Sequence, residues 1–146
     1  MIGWIFAIYS LAVVLCSPFI PKLLERKHDK KGLVNKGLLL MSICFILFGV
    51  SVHIDNTTVL ISIALAIRML QGAASACIQT TCYSIATNEY PKEKEKLIGY
   101  IEAAMGGGGC MGPLVGSLLY AMGGFSITFY LLGIFIMLYV IVNTMI

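Results

Sequence analysis

Five long apolar stretches dominate this chain and most constrain how it folds. They lie at about 2–21, 36–53, 58–87, 97–120 and 126–145, and a helix needs about 20 mostly apolar residues to cross a bilayer. Charged residues make up only 12% of the chain, against about 25% in an ordinary soluble domain. The sequence therefore predicts one all-α integral membrane domain over residues 1–146, built from five antiparallel transmembrane helices.

The basic residues are concentrated in alternate connections between these stretches. Segments 22–36 and 88–96 carry nine of the ten Lys and Arg residues, whereas segments 53–57 and 121–125 carry none. The positive-inside rule places the two basic loops in the cytosol and predicts a multi-pass protein in a lipid bilayer. It leaves the vesicular or vacuolar membrane and the plasma membrane open, and it explains the net charge of +3 without a nucleic-acid partner.

The residue pattern gives no support for a metal site, a cofactor or an enzyme. The five cysteines are scattered along the chain with no CxxC pair and no nearby His, so we expect them to pack as small apolar residues. An enzyme would need paired carboxylates, or a set of Ser and His residues, at one depth of the membrane. The sequence pattern places no such group there.

Only two charged residues, Arg68 and Glu102, lie well inside apolar stretches. A charge within a membrane span is costly and is by default a functional hypothesis, although either residue could instead be buried structurally or reach the surface. Arg68 lies roughly 30 Å along its helix from the basic loop and Glu102 roughly 9 Å. We therefore predict that the two do not form a direct ion pair.

Arg68 begins a polar stripe on the third span. Helical spacing places these residues on one face: Arg68, Gln71, Gly72, Ser75, Gln79, Cys82 and Tyr83. Such a stripe avoids lipid either by packing against a polar face of another helix or by lining a water-filled cavity. The second and fifth spans show no matching polar stripe, which favours the cavity.

The fourth span combines a carboxylate with weak helix formers. Small residues recur every four positions, at Ala104, Gly108, Gly112 and Gly116, a spacing that lets another helix approach closely. Pro113 removes a backbone hydrogen bond, so we expect the helix to bend there.

These motifs resemble those of the major facilitator superfamily of secondary transporters. Arg68-x-x-Gln71-Gly72 is similar to the motif on that family's fourth helix, and residues 108–116 are similar to the fifth-helix motif associated with its antiporters. The first basic loop resembles the family's cytosolic loop motif, with Pro21 and His28 in place of its two glycines. The residues that carry this last likeness are Glu25, Arg26, Lys30 and Lys31. The resemblance implies helices two to six of twelve, part of the N-terminal six-helix bundle.

Residues 98–120 look most like the vesicular amine and polyamine transporter branch. By that resemblance Glu102 is a cation or proton site, and Arg68 is a cavity residue involved in coupling. The polar stripe adds Gln71, Ser75 and Gln79 as candidate residues along the pathway. The implied function is part of a proton-coupled antiporter of small organic cations such as amines, polyamines or drugs. The implied partners are a small-molecule substrate, protons and the remainder of the transporter, namely a helix before Met1 and a second half after Ile146. The alternative is a truncated membrane protein that does not transport and acts as a helix-packing partner or regulator.

Overall fold

The computed structural model describes residues 2–22, 29–52 and 56–145. Its helices are α1 (Ile2–Cys16), α2 (Lys30–Ser51), α3 (Thr57–Glu89) and α4 (Lys94–Met145). Within these residues there is no strand. By length and composition α2, α3 and α4 are each able to cross a membrane, and α1 adds the shorter apolar segment Ala7–Cys16. The prediction of an all-α membrane fold is confirmed.

Polar residues set the ends of α2 and α3. The side chain of Asp29 accepts a hydrogen bond from the Gly32 amide at 2.9 Å, and that of Asn56 accepts one from the Thr58 amide at 3.2 Å. Both are N-caps, which satisfy amides that the first helical turn leaves without a partner. At the other end of α3, Tyr90 leaves the helical region because the following residue is Pro91. Glu25 and Arg26 of the loop motif lie outside the described residues.

A single glycine divides α4 into two segments. Gly124 has φ 71° and ψ −169°, a conformation that essentially only glycine adopts, whereas helical dihedrals continue through Pro113. Gly124 lies within the connection that the sequence predicts at 121–125. The first segment of α4 is residues 94–123, and the second segment is residues 125–145.

The second segment of α4 packs antiparallel to α2. The Ser42 hydroxyl donates to the Gly133 carbonyl at 2.7 Å, and Asn143 donates to Asn35 at 2.6 Å, so residue numbers rise along one helix as they fall along the other. A Cβ on Gly133 would lie 2.7 Å from the Ile46 side chain. Glycine therefore allows the two backbones to approach closely.

The start of α2 and the end of α3 meet at one end of the bundle. Lys30 Nζ lies 3.4 Å from Glu89 Oε1, and the exposed segment Pro91–Lys96 continues from there into α4. We call this the basic end, defined by Lys30, Lys31, Lys92, Lys94 and Lys96. The first segment of α4 turns back beside α3 from this end, where an open apolar groove of about 380 Å³ separates them.

Candidate functional site

The polar stripe of α3 faces α1 over part of its length. Gln71 and Ser75 are buried, with 1% and 6% of their surfaces exposed. The Ser75 hydroxyl oxygen accepts hydrogen bonds from the Tyr9 hydroxyl at 2.9 Å and from Gln79 Nε2 at 3.1 Å. We call Tyr9, Gln71, Ser75 and Gln79 the polar cluster. The buried residues of this cluster lie at the contact between α1 and α3. The sequence pattern had favoured the other alternative, a water-filled cavity.

The contact depends on Gly72. A Cβ at this position would lie 2.6 Å from the Tyr9 carbonyl oxygen and 2.7 Å from the Ala12 Cβ. Only the missing side chain lets α1 approach closely enough for Tyr9 to reach Ser75. Tyr9 is the functional candidate that the sequence did not single out, because the few polar residues of its span, such as Tyr9, Ser10 and Ser17, form no evident stripe.

Gln71 has an unusual environment. Both its amide nitrogen and its amide oxygen are buried with no hydrogen-bond partner among the described residues. A buried polar group left in this way costs about 1–3 kcal/mol, and such groups in native structures call for a specific explanation. Gln71 is thus a stronger candidate for a functional role than for simple packing.

Arg68 lies over an aromatic ring. Its guanidinium carbon is 4.9 Å from the centroid of the Phe48 ring, a cation–π distance. Phe48 is itself buried and contacts the aromatic rings of Phe125 and Phe129 of α4. Arg68 therefore occupies a defined position between α2 and α3.

Glu102 is separate from this cluster. It is exposed on the first segment of α4, and among the described residues no salt bridge joins it to Arg68; the recorded pair is Lys30 with Glu89. The two charges inside the apolar spans thus belong to different surfaces of the bundle.

The small-residue stripe of the fourth span has one residue beside α3, whereas its other residues face away from the described chain. Ala104 lines the apolar groove beside α3, together with Cys82, Tyr90 and Tyr100. A Cβ on Gly108, Gly112 or Gly116 would meet no atom within 4 Å. These three glycines therefore present a face that the rest of the described chain does not cover. Glu102 is exposed on the same segment of α4.

The described residues contain no group of three His, Cys, Asp or Glu side chains placed to hold a metal ion. The cysteines are free thiols. The charged residues that lie well inside the described apolar spans are Arg68 and Glu102.

We expect Tyr9→Phe to lower the free energy of unfolding by about 0.5–1.5 kcal/mol, because it removes one partly buried hydrogen bond. Ser75→Ala removes the same bond from the other side. A double-mutant cycle on thermal stability in detergent measures the coupling, and strictly additive effects of the two changes would contradict a direct bond between them.

A family model described as the Major Facilitator Superfamily matches residues 1–146. Among similar proteins, the "MFS-type transporter SLC18B1" of Homo sapiens is 29% identical over 98% of this chain and 31% of its own length. "Multidrug resistance protein 2" of Bacillus subtilis (strain 168) is 29% identical over 83% of this chain and 28% of its own length. No solved structure matches. The chain spans less than a third of the length of these relatives.

Proposed function

The chain belongs to the major facilitator superfamily, and on that premise we propose that it forms part of a secondary transporter that exchanges protons for small organic cations. It supplies helices two to six of the N-terminal half. In support, the relatives are named as a transporter and as a multidrug resistance protein. The motif of α3 resembles the family's fourth-helix motif, and residues 108–116 resemble the fifth-helix motif of its antiporters.

The observation that carries this proposal is the position of Glu102. It is a carboxylate within an apolar helix, roughly 9 Å along the axis from the basic end, on a face that the described chain leaves exposed. In a membrane span such a group is expected to face a pathway or a partner rather than lipid. A carboxylate there binds either a proton or a cationic substrate, and this competition is what couples the two in an antiporter.

The remaining site residues have complementary roles in the proposal. Arg68 provides a fixed positive charge on the other side of the bundle, and Gln71, Ser75 and Gln79 provide neutral polar groups along α3. In secondary transporters built from repeats, the substrate site lies near the bilayer midplane between the repeats. The exposed face of the first segment of α4 would then face the second half of the transporter, and the basic end would face the cytosol.

The alternative is a short membrane protein that regulates or packs against a transporter. The feature that favours it is the stripe Gly108, Gly112 and Gly116, where an added Cβ would meet no atom of another part of the described chain within 4 Å. Such a stripe suits close approach by a helix of another protein.

The mass of the native product separates the two functions. An antibody against residues 88–97, which include the exposed segment Pro91–Lys96, detects the protein in membrane fractions. We expect a band of more than twice the 15.9 kDa of this chain, in line with the length of the relatives. A single band near 15.9 kDa would contradict the transporter proposal and support the regulator.

A further inference from the structure

We propose that Phe48 is a positioning residue for Arg68, holding the guanidinium at a fixed place between α2 and α3 by a cation–π contact. The contact itself is independent of transport, whereas its consequence for proton coupling rests on the proposed function. No sequence motif marks Phe48, which reads as one more apolar residue of the second span.

The geometry supports a specific contact rather than chance proximity. The guanidinium carbon of Arg68 lies 4.9 Å from the ring centroid, inside the limit of about 6 Å for an energetically significant cation–π pair. Phe48 is 8% exposed, so water competes little for the ring face. Such contacts are strongest where both groups are desolvated.

The helix directions explain why these two residues meet. Long side chains on a helix point back toward its N-terminus, so Arg68 extends from its Cα toward the start of α3. That start adjoins the end of α2, where Phe48 lies three residues before Ser51. Phe48 also belongs to a buried apolar cluster between α2 and α3, whose other members are Cys44, Ala64 and Ile67.

The ring has little freedom to move. Its centroid lies 4.9 Å from that of Phe129 and 5.8 Å from that of Phe125, and the latter two are 4.5 Å apart. Gly49 lets the second segment of α4 approach, since a Cβ there would lie 2.9 Å from the Tyr130 ring. Phe48 is therefore held on two sides, and Arg68 takes its position from a rigid neighbour.

An aromatic ring suits this task for an electrostatic reason. The ring attracts the guanidinium through its quadrupole and carries no net charge of its own. Phe48 thus orients the guanidinium of Arg68 without adding a charge to the space between α2 and α3.

The direct test measures how readily Arg68 reacts. The full protein, purified in detergent, is treated with phenylglyoxal, and modification of Arg68 is followed by mass spectrometry of its peptide. Phe48→Leu keeps an apolar side chain but removes the ring face, so we expect the labelling rate of Arg68 to rise about fivefold. Phe48→Tyr and Phe48→Trp keep the ring and are expected to leave the rate unchanged or lower.

The matched control is Phe45→Leu. Phe45 stacks on Phe129 at 6.1 Å in the same aromatic cluster, but the recorded cation–π contact of Arg68 is with Phe48. We expect this control to leave the labelling of Arg68 at the wild-type rate. Equal labelling of Arg68 in wild type and Phe48→Leu would overturn the proposal. A rise in Phe45→Leu and Phe48→Tyr as large as the rise in Phe48→Leu would also overturn it. If Phe48→Leu fails to fold, the tyrosine and tryptophan variants still decide it, since faster labelling in both would overturn it.

A transport measurement then separates this inference from the proposed function. If Arg68 takes part in coupling, Phe48→Leu shifts the pH dependence of substrate uptake. Phe48→Tyr and Phe45→Leu then keep the pH dependence of the wild type. Faster labelling with an unaltered pH profile would support the positioning of Arg68 by Phe48 and would contradict a coupling role for Arg68. An altered profile without faster labelling would overturn the positioning role.

Discussion

Glu102→Gln is expected to abolish proton-coupled uptake of organic cations by the protein that contains this chain, while leaving its amount in the membrane unchanged. Glutamine has nearly the size of glutamate but neither binds a proton in this pH range nor carries a negative charge for a cation. Glu102 is exposed on its helix, and among the described residues its side chain takes part in no hydrogen bond or salt bridge that the substitution would remove. The measurement is uptake into proteoliposomes across an imposed pH gradient.

Glu95→Gln is the matched control for this experiment. Glu95 is an exposed carboxylate in the first turn of the same helix, at the basic end and outside the apolar span. We expect normal coupled uptake from this variant. If Glu102→Gln retained the uptake and pH dependence of the wild type, Glu102 would have no part in the mechanism.

Gly72→Ala is expected to destabilise the bundle by about 1–3 kcal/mol, the usual cost of overpacking a close contact. The added Cβ would lie 2.6 Å from the Tyr9 carbonyl oxygen, and a backbone atom cannot move aside as a flexible side chain does. α1 must then shift away from α3, which also weakens the hydrogen bond between Tyr9 and Ser75. Thermal unfolding in detergent, followed by the loss of monodisperse protein, measures the effect.

Gly107→Ala provides the comparison for Gly72→Ala, since a Cβ on Gly107 would meet no atom within 4 Å. Alanine has the higher helix propensity, by about 1 kcal/mol, so this variant is expected to be as stable as the wild type or more stable. Similar unfolding temperatures for the two variants would show that α1 does not pack on Gly72.

The sequence predicted the fold class well, because hydropathy and length alone determine which segments are suited to span a membrane. The N-caps Asp29 and Asn56 were not predicted and were identified in the structure, although their capping effects are local. The helical spacing of α3 also predicted that Arg68, Gln71 and Ser75 share a face. These features depend on periodicity and near neighbours, which a single sequence contains.

Contacts between helices were not predictable in the same way. Nothing in the sequence indicated that Tyr9 bonds to Ser75 or that Phe48 lies under Arg68, because both contacts depend on how two apolar helices rotate about their axes. The glycines that permit close packing between helices are Gly72, which the polar stripe includes, and the isolated Gly37, Gly49 and Gly133. The spaced glycines of the fourth span do not pack in this way. The motif at 108–116 was easier to notice, yet it has no partner within the described chain.

The central claim is that the protein containing this chain exchanges organic cations for protons, and its most direct test is uptake of a radiolabelled polyamine into proteoliposomes with an acidic lumen. The account predicts accumulation that requires the pH gradient and stops when an ionophore collapses it. Uptake that is equal with and without the gradient, in active and correctly inserted protein, would contradict proton-coupled antiport.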